Sequence, residues 1–310
     1  MSNGKLRHFS GTPVAEGVRL EVGSYTVFAV RNEKKDIAVR MRREPRQALR
    51  ILLKVPLLRG IVRLFRDIFR FFDGLGESTE FKPQRIVRGN GLERVLAVLF
   101  GTDGQAVATF LSFCLLPILA FLLLYAAPEG AKLLLMQLHD FTLFQLSLLM
   151  CVVRVCAFLL AVGCAVHLKV FRRMLMYRYA LNQAINCYEC GDDMRTETVA
   201  QYPRYARRSE AAFLLSVGLW SIIAFGFLPV TNITVYIPLR ILIVLAVAAL
   251  INEPIRAIEN APCTRAIKIL RTPLDLLQHM TTLKPNFPVQ EVAVCAFQAA
   301  LGELIDTADN

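Results

Sequence analysis

Long apolar blocks alternate with strongly charged stretches along this chain. Four blocks carry few charges, and they cover residues 105–127, 142–168, 211–228 and 235–251. Each is close to the roughly 20 residues that a helix needs to cross the roughly 30 Å hydrocarbon core of a bilayer. The short link at 229–234 predicts that the last two form a tight antiparallel hairpin. The pattern predicts a membrane α-helical protein with about four transmembrane helices.

The chain before the first block shows the period-two pattern of a β-hairpin. Apolar and polar residues alternate at 18–22 and 27–29, and again at 37–41 after a polar turn at 32–36. This predicts a hairpin over residues 18–43. The glycines and the proline in 11–17 predict a loop ahead of it.

Residues 46–72 predict an amphipathic helix. Its apolar positions recur at steps of three and four, at Leu58, Val62, Phe65, Phe69 and Phe72. Its cations recur at the same steps on another face, at Arg59, Arg63, Arg66 and Arg70. One interpretation is a helix in the headgroup plane with its arginines toward anionic lipid. The other is a helix that packs its phenylalanines on the rest of the protein.

The predicted organisation has five parts, and the first of them is a cytosolic α+β portion. Residues 1–103 hold the β-hairpin and the basic amphipathic helix, 104–168 the first two transmembrane helices, and 169–210 a basic cytosolic loop. Residues 211–251 hold the other two transmembrane helices, and 252–310 cytosolic C-terminal helices. Within the last part we expect a helix from Glu253 to Leu270, a loop-rich stretch over 272–288 and a short helix over 290–305.

Charge gives these parts an orientation. The 36 Lys and Arg outnumber the 25 Asp and Glu, for a net charge of +11, and the mean hydropathy is +0.46. Most cations precede the first block or lie between the second and third, whereas the loop between the first and second has only Lys132. This positive-inside bias predicts a multi-pass protein of the cytoplasmic membrane with both termini in the cytosol. Anionic headgroups are the expected partner, and no RNA-binding motif favours nucleic acid.

Few residues of the chain suggest transport or metal chemistry. Arg154 is a deep intramembrane charge, which is a functional candidate by default. No row of acidic or histidine side chains accompanies it, so a proton-coupled transporter or a pore is disfavoured. Cys187 and Cys190 form a C-x-x-C without a second pair or a nearby His, which makes zinc improbable.

Four stretches in order resemble a bacterial membrane-protein family, the YqhQ-like proteins. They are Gly11–Val18, Pro56–Gly60, Asn186–Glu189 followed by Arg204, and a C-terminal set that includes Glu291. The family has no known function, and its members are labelled predicted metal-dependent enzymes. The matching positions are Glu16, Gly17, Arg59, Gly60, Asn186, Tyr188, Glu189, Arg204 and Glu291.

The departures from this family fall on its expected metal ligands. The resemblance implies an H-G-A-E-H run, but here its ligand positions hold Arg178, Leu181 and Asn182. A second expected run, H-P-R-C-G, is replaced by residues that include Ala206 and Ser209. Arginine cannot ligate a cation, and leucine has no donor atom. We therefore expect neither a metal nor another cofactor in this member.

Three functions follow from this pattern. The favoured one is a non-catalytic scaffold or subunit that binds a protein partner or a second copy of itself, with Arg59–Glu16 or Arg204–Glu189 pairs on its cytosolic face. A second is a membrane-surface enzyme with an altered site, in which Glu16 or Glu189 is the general base. A third is a factor for membrane-protein biogenesis or ribosome docking, which would use the basic face.

Overall fold

A computed structural model describes most of the chain. The described residues are 9–14, 16–23, 25–31, 36–43, 55–80, 127–138, 141–165, 169–206, 208–227, 233–261 and 264–306. They fall into two compact units. One comprises Met1–Phe81, Val162–Ser221 and Ile237–Asn310, and the other comprises Lys82–Ala161 and Ile222–Tyr236. Outside the described residues lie 105–126 of the first predicted span, 229–232 of the predicted link between the third and fourth blocks, and 46–54 of the predicted amphipathic helix.

The N-terminal part forms a four-stranded antiparallel meander. The strands are β1 (Phe9–Val14), β2 (Gly17–Val22), β3 (Tyr25–Arg31) and β4 (Ile37–Arg43), in the order β1-β2-β3-β4. The predicted loop ahead of the hairpin is wrong, because that stretch is β1. The predicted first strand is itself folded back at Gly23, whose φ of +63° suits glycine. The two-residue connection at this turn is too short to interrupt the apolar alternation.

Helices make up the rest of the described fold. They are α1 (Pro56–Glu80), α2 (Ala127–Leu138), α3 (Leu143–Ala165), α4 (Lys169–Cys190), α5 (Thr196–Val199), α6 (Glu210–Gly226), α7 (Ile233–Asn260), α8 (Arg265–Met280) and α9 (Phe287–Asp306). The predicted loop-rich stretch over 272–288 is wrong in its first half, because α8 continues through Pro273 to Met280. The amphipathic spacing of α8 outweighs the one backbone hydrogen bond that a proline removes.

Two helices in the described part of the chain are long and apolar enough to cross a membrane. Phe144–Gly163 within α3 has a mean hydropathy of 2.4, and Pro238–Asn260 within α7 has a mean hydropathy of 2.0. They overlap the second and fourth predicted blocks. The third block corresponds to a shorter apolar helix, Glu210–Phe225. Arg154 lies on α3 inside the first of these two helices.

Two apolar clusters hold the first unit together. In one, β2 and β3 pack on α4 and α9 through buried residues such as Leu20, Val27, Leu181 and Phe297. In the other, Leu64 of α1 meets Phe213 and Val217 of α6 and Ala248 and Ile255 of α7. The first cluster places α4, which carries much of the family motif, against the sheet. The second packs α1 against α6 and α7.

Candidate functional site

The middle of α4 carries three amide side chains that bind backbone. Asn182 and Gln183 are 6% and 2% exposed, and Asn186 lies one turn beyond Asn182. Their amide nitrogens donate to five carbonyls: Asn182 to Arg204 (2.7 Å), Gln183 to Ala200 and Tyr202 (2.9 Å each), and Asn186 to Pro203 and Tyr205 (2.9 Å each). Residues 200–205 form neither helix nor strand. The three amides therefore replace the backbone partners that this segment lacks.

A second set of side chains holds the end of the same segment. The backbone N–H of Ala206 donates to Oε1 of Gln278 at 3.1 Å, and its carbonyl accepts from Arg271 at 2.6 Å and from Gln278 at 3.3 Å. Gln278 is only 3% exposed. We call residues 200–206 together with these amide and guanidinium donors the carbonyl clamp. It joins α4 to α8.

The expected ligand positions of the YqhQ-like family lie in or beside this clamp. Asn182 is one of its donors, and Ala206 is one of its acceptors. Leu181 is buried under Gly11, where an added Cβ would lie 2.5 Å from a Leu181 methyl carbon. The Ser209 hydroxyl accepts from the backbone N–H of Ala212 at 3.4 Å, at the start of α6. Packing and backbone hydrogen bonds thus occupy these four positions.

Arg178, the fifth substituted position, faces Glu210. Burial lowers the pKa of Arg178 from 12.5 to about 10, and the nearby Glu210 carboxylate opposes this shift. Arg178 therefore remains a cation at neutral pH. The Glu210 carboxylate itself accepts from Ser10 at 2.8 Å, Thr12 at 2.9 Å and Arg70 at 3.1 Å. Glu210 thus connects β1 to α1 and α6.

The arginines of α1 point at carboxylates of the protein. Arg59 Nε donates to Glu253 at 2.6 Å, and Arg63 donates to Glu259 at 2.9 Å. Arg70 forms ion pairs with Glu21 and Glu210. The sequence-based interpretation that sends these cations toward lipid therefore differs from the structure. The alternative in which the phenylalanines pack on the protein does not hold for Phe65 and Phe69, which are 48% and 69% exposed.

Asp67 is the one acidic residue among the α1 arginines, and its side chain is completely buried. Arg66 Nε lies 3.3 Å from its Oδ1, and Arg63 Nε lies 3.7 Å from its Oδ2, which has no hydrogen-bond partner. Burial and the nearby Glu210 carboxylate raise the pKa of Asp67 to about 7 against the opposing effect of the arginines. The group is therefore partly protonated near neutral pH.

The two predicted surface ion pairs do not form. Arg59 pairs with Glu253, and Glu16 pairs with Arg173. Arg204 lies over the rings of Tyr179 and Tyr205, at 6.0 and 5.4 Å from their centroids, and Glu189 is exposed. A guanidinium gains more from two aromatic faces than from one solvated carboxylate, because surface ion pairs contribute little.

The remaining matched positions also have structural contacts. Tyr188 packs edge-on against Phe9, with the ring centroids 4.4 Å apart. Glu291 pairs with Arg31 at 2.6 Å. A Cβ at Gly17 would overlap the carbonyl oxygen of Ala29, and one at Gly60 would overlap that of Ala248. Glycine is therefore required at both close approaches.

The C-x-x-C pair lies at the C-terminal end of α4. Cys187 is buried, and its Sγ lies 3.6 Å from the carbonyl oxygen of Asp193, whereas Cys190 is exposed. Burial, with help from the nearby Asp192, raises the pKa of Cys187. A protonated thiol is a poor nucleophile and a poor metal ligand. Within the described ranges, no group of three or more His, Cys, Asp or Glu side chains is arranged to hold a metal ion.

Sequence reasoning missed several residues of this site. Gln183 and Gln278 form hydrogen bonds of the clamp. Asp67 and Glu210 form ion pairs with Arg66 and Arg70 of α1. Asp67 had a visible signal, because it is the only acid in the arginine-rich turns of α1. The glutamines had none, since their partners are backbone groups 17 to 72 positions away in sequence.

Comparison with known proteins places most of the chain in one family. A family model described as "Protein of unknown function (DUF1385)" matches residues 55–303, from the start of α1 into the last turns of α9. The matched range contains the carbonyl clamp and begins after the sheet. No curated protein and no solved structure matches the chain. The chain belongs to the DUF1385 family of proteins of unknown function.

Proposed function

We propose that this chain is a non-catalytic scaffold anchored in a bacterial cytoplasmic membrane, and that it is a divergent YqhQ-like member without the metal site expected of that group. Its α3 and α7 would cross the membrane, and the sheet, α4 and α9 would lie on the cytosolic side. The apolar lengths of α3 and α7 and the positive-inside charge bias support this placement.

The proposal rests on what the side chains at the expected ligand positions contact. The Asn182 amide donates a hydrogen bond to a backbone carbonyl, Leu181 fills the core under Gly11, and the Ser209 hydroxyl caps the start of α6. A side chain engaged in this way is not free to bind an ion, because moving it would leave an unpaired carbonyl or a cavity behind. The clamp thus takes over the connection that a shared ion would make between α4 and the 204–210 segment.

The two candidate general bases also favour a non-catalytic role. Glu189 is solvent-exposed at the end of α4, and the Glu16 carboxylate is engaged by Arg173. A general base works best with the substrate proton held within hydrogen-bond reach in a site that excludes water. Neither carboxylate lies in such a site, so their contribution is to solubility and to the ion pair.

Carboxamide substitution tests this proposal in cells. In a strain in which deletion of the chain causes a growth or envelope defect, Glu16→Gln and Glu189→Gln should restore the wild-type state as fully as the unaltered chain does. Asn182→Ala is the matched comparison, because it weakens the clamp without touching either carboxylate. If Glu189→Gln accumulates in the membrane at the wild-type level and yet fails to restore growth, the function requires this carboxylate, as an enzyme's general base would, and the proposal is wrong.

A further inference from the structure

Helix α8 has an exposed apolar face. Its apolar positions recur at steps of three and four, and the exposed ones are Ala266, Ile269, Leu270, Pro273 and Leu276. Ile269, Leu270 and Leu276 are 74%, 57% and 63% exposed. An unbroken apolar face of this size is unusual on a helix that borders only water.

The opposite face of α8 is firmly held by the protein. Gln278 is buried, Leu274 packs against the cluster that contains Ile255, and Arg271 donates to the carbonyl of Ala206. The exposed apolar face is therefore a fixed surface of the fold. It does not arise from a helix that has failed to pack.

Helix α1 presents a second face of the same kind. Leu58, Phe65 and Phe69 are 39%, 48% and 69% exposed and lie on one side of the helix. The arginines beside them are turned to the protein by Glu253 and Glu259. Both helices thus keep their exposed apolar side chains directed away from the folded unit.

Both helices pack on α7. Gly60 of α1 lies directly against Ala248 and Ala249, and α8 contributes Leu274 to the cluster of Ile255. Farther along α7, Ile241 and Leu242 are 58% and 62% exposed, as expected for the lipid-facing side of a span. Exposed apolar side chains thus lie on α7 as well as on α1 and α8.

The charge on α8 fits a lipid surface. Arg265 and Lys268 lie one turn apart on its exposed polar side, and within the described part of the chain neither forms an ion pair. Lysine and arginine along the edge of an apolar helical face are typical of helices that lie among anionic headgroups.

We propose that α8 and α1 lie in the plane of the cytosolic leaflet, with Ile269, Leu276, Phe65 and Phe69 among the acyl chains. Arg265 and Lys268 then meet anionic headgroups. The inference rests on the membrane anchoring of α7 proposed above. It assigns α8, which sequence analysis places in the cytosol, to the bilayer surface. It also reverses the role of the α1 arginines, which hold the helix to the protein while the phenylalanines bind lipid.

Tryptophan quenching by brominated lipids tests this arrangement in the whole protein. The chain has one tryptophan, Trp220, so a Trp220→Phe background is free of tryptophan. In this background we would place single tryptophans by Ile269→Trp, Phe69→Trp and His279→Trp. Each variant is reconstituted in vesicles of phosphatidylcholine and phosphatidylglycerol, with bromine on the acyl chains of the phosphatidylcholine. A Leu242→Trp variant reports the insertion of α7 itself.

The expected result is strong loss of fluorescence for Ile269→Trp and Phe69→Trp, approaching the loss for Leu242→Trp. His279→Trp, on the polar side of α8, should lose much less. Quenching of Leu242→Trp without quenching of Ile269→Trp would overturn the inference while leaving the membrane anchor intact. If Leu242→Trp is also unquenched, the anchoring in the proposed function fails as well.

A second copy of the chain is the competing occupant, and the mass of the detergent-solubilised protein reports on it. An Ile269→Ser/Leu276→Ser variant should keep the mass of the wild-type particle, because lipid or detergent covers the face in both. A wild-type dimer that becomes a monomer in this variant would assign the face to self-association and overturn the lipid assignment.

Discussion

Asn182, Gln183 and Asn186 together satisfy five carbonyls of a segment that has no regular structure. At the scale of single residues, this gives the Asn186–Glu189 stretch a structural role that requires no ion. Two of the motif's own residues, Asn186 and Tyr188, contact the 200–206 segment and the sheet. Such contacts are needed for the fold whether or not an ion is bound.

Removal of one clamp amide should destabilise the protein. Asn182→Ala leaves the partly buried carbonyl of Arg204 without its donor, and an unmet polar group costs up to about 1–3 kcal/mol when it is buried. We expect a lower midpoint of thermal unfolding for the detergent-solubilised variant. Glu189→Gln is the control on the same helix, and its exposed side chain should leave the midpoint unchanged. Equal midpoints for Asn182→Ala and wild type would show that the clamp does not stabilise the fold.

Asp67 should make stability depend on pH in the opposite direction to most carboxylates. Burial raises its pKa from 3.8 to about 7, so between these values the folded chain binds a proton that the unfolded chain releases. The stabilising contribution of this group is therefore complete below pH 3.8 and is lost as the pH rises through about 7.

Asp67→Asn tests this dependence because it keeps the shape of the side chain without an ionisable proton. The midpoint of thermal unfolding of Asp67→Asn, measured relative to wild type, should rise as the pH is raised from 5 to 8. A difference that is constant with pH, or that falls, would show that the Asp67 carboxylate is ionised throughout and stabilised by Arg63 and Arg66.

At the scale of elements, α1 shows what sequence periodicity can and cannot determine. The spacing of its apolar and basic residues correctly predicts an amphipathic helix. It does not predict which face is buried, because that depends on Glu253, Glu259 and Glu210, which lie more than 100 positions away in sequence. The direct packing of Gly60 on α7 likewise has no local signal.

The close approach of α1 to α7 gives a prediction at this scale. A Cβ at Gly60 would overlap the carbonyl oxygen of Ala248 and lie 2.8 Å from Cα of Ala249. Gly60→Ala should therefore separate the two helices and lower the free energy of unfolding by about 1–3 kcal/mol, as overpacking typically does. Denaturation in mixed detergent micelles would measure this change in the free energy of unfolding.

Gly302→Ala is the matched control for this substitution. It lies on α9 with no atom within 4 Å of an added Cβ. Alanine is a better helix former than glycine, so this variant should equal or exceed wild type in stability by up to about 1 kcal/mol. If Gly60→Ala behaves like Gly302→Ala, α1 does not pack on α7 as described.

At the scale of the whole molecule, the coarse organisation could be predicted and the site could not. Apolar length identifies the helices α3 and α7, and alternation identifies strands in the first 43 residues. The first strand was missed because β1 contains Gly11 and Pro13, which usually mark loops. The clamp was missed because its donors and acceptors come from α4, α8 and an irregular segment that are joined only by folding.

The proposed topology can be checked with a cysteine of the motif helix. Cys190 is exposed at the end of α4, on the side of the membrane predicted to be cytosolic. In a variant that retains Cys190 alone, a membrane-impermeant maleimide should label inside-out vesicles and leave intact cells unlabelled. Labelling of intact cells would place α4 outside the cytosol and reverse the orientation.

The central claim is that the expected ligand positions of this chain serve the fold and hold no metal. Elemental analysis of the purified, detergent-solubilised protein, prepared without chelators and with zinc and manganese in the growth medium, tests it most directly. The account predicts far less than one equivalent of any transition metal per chain and the same thermal midpoint with and without a chelator. One equivalent of zinc or manganese that is lost in Asn182→Ala, with a chelator-sensitive midpoint, would contradict it.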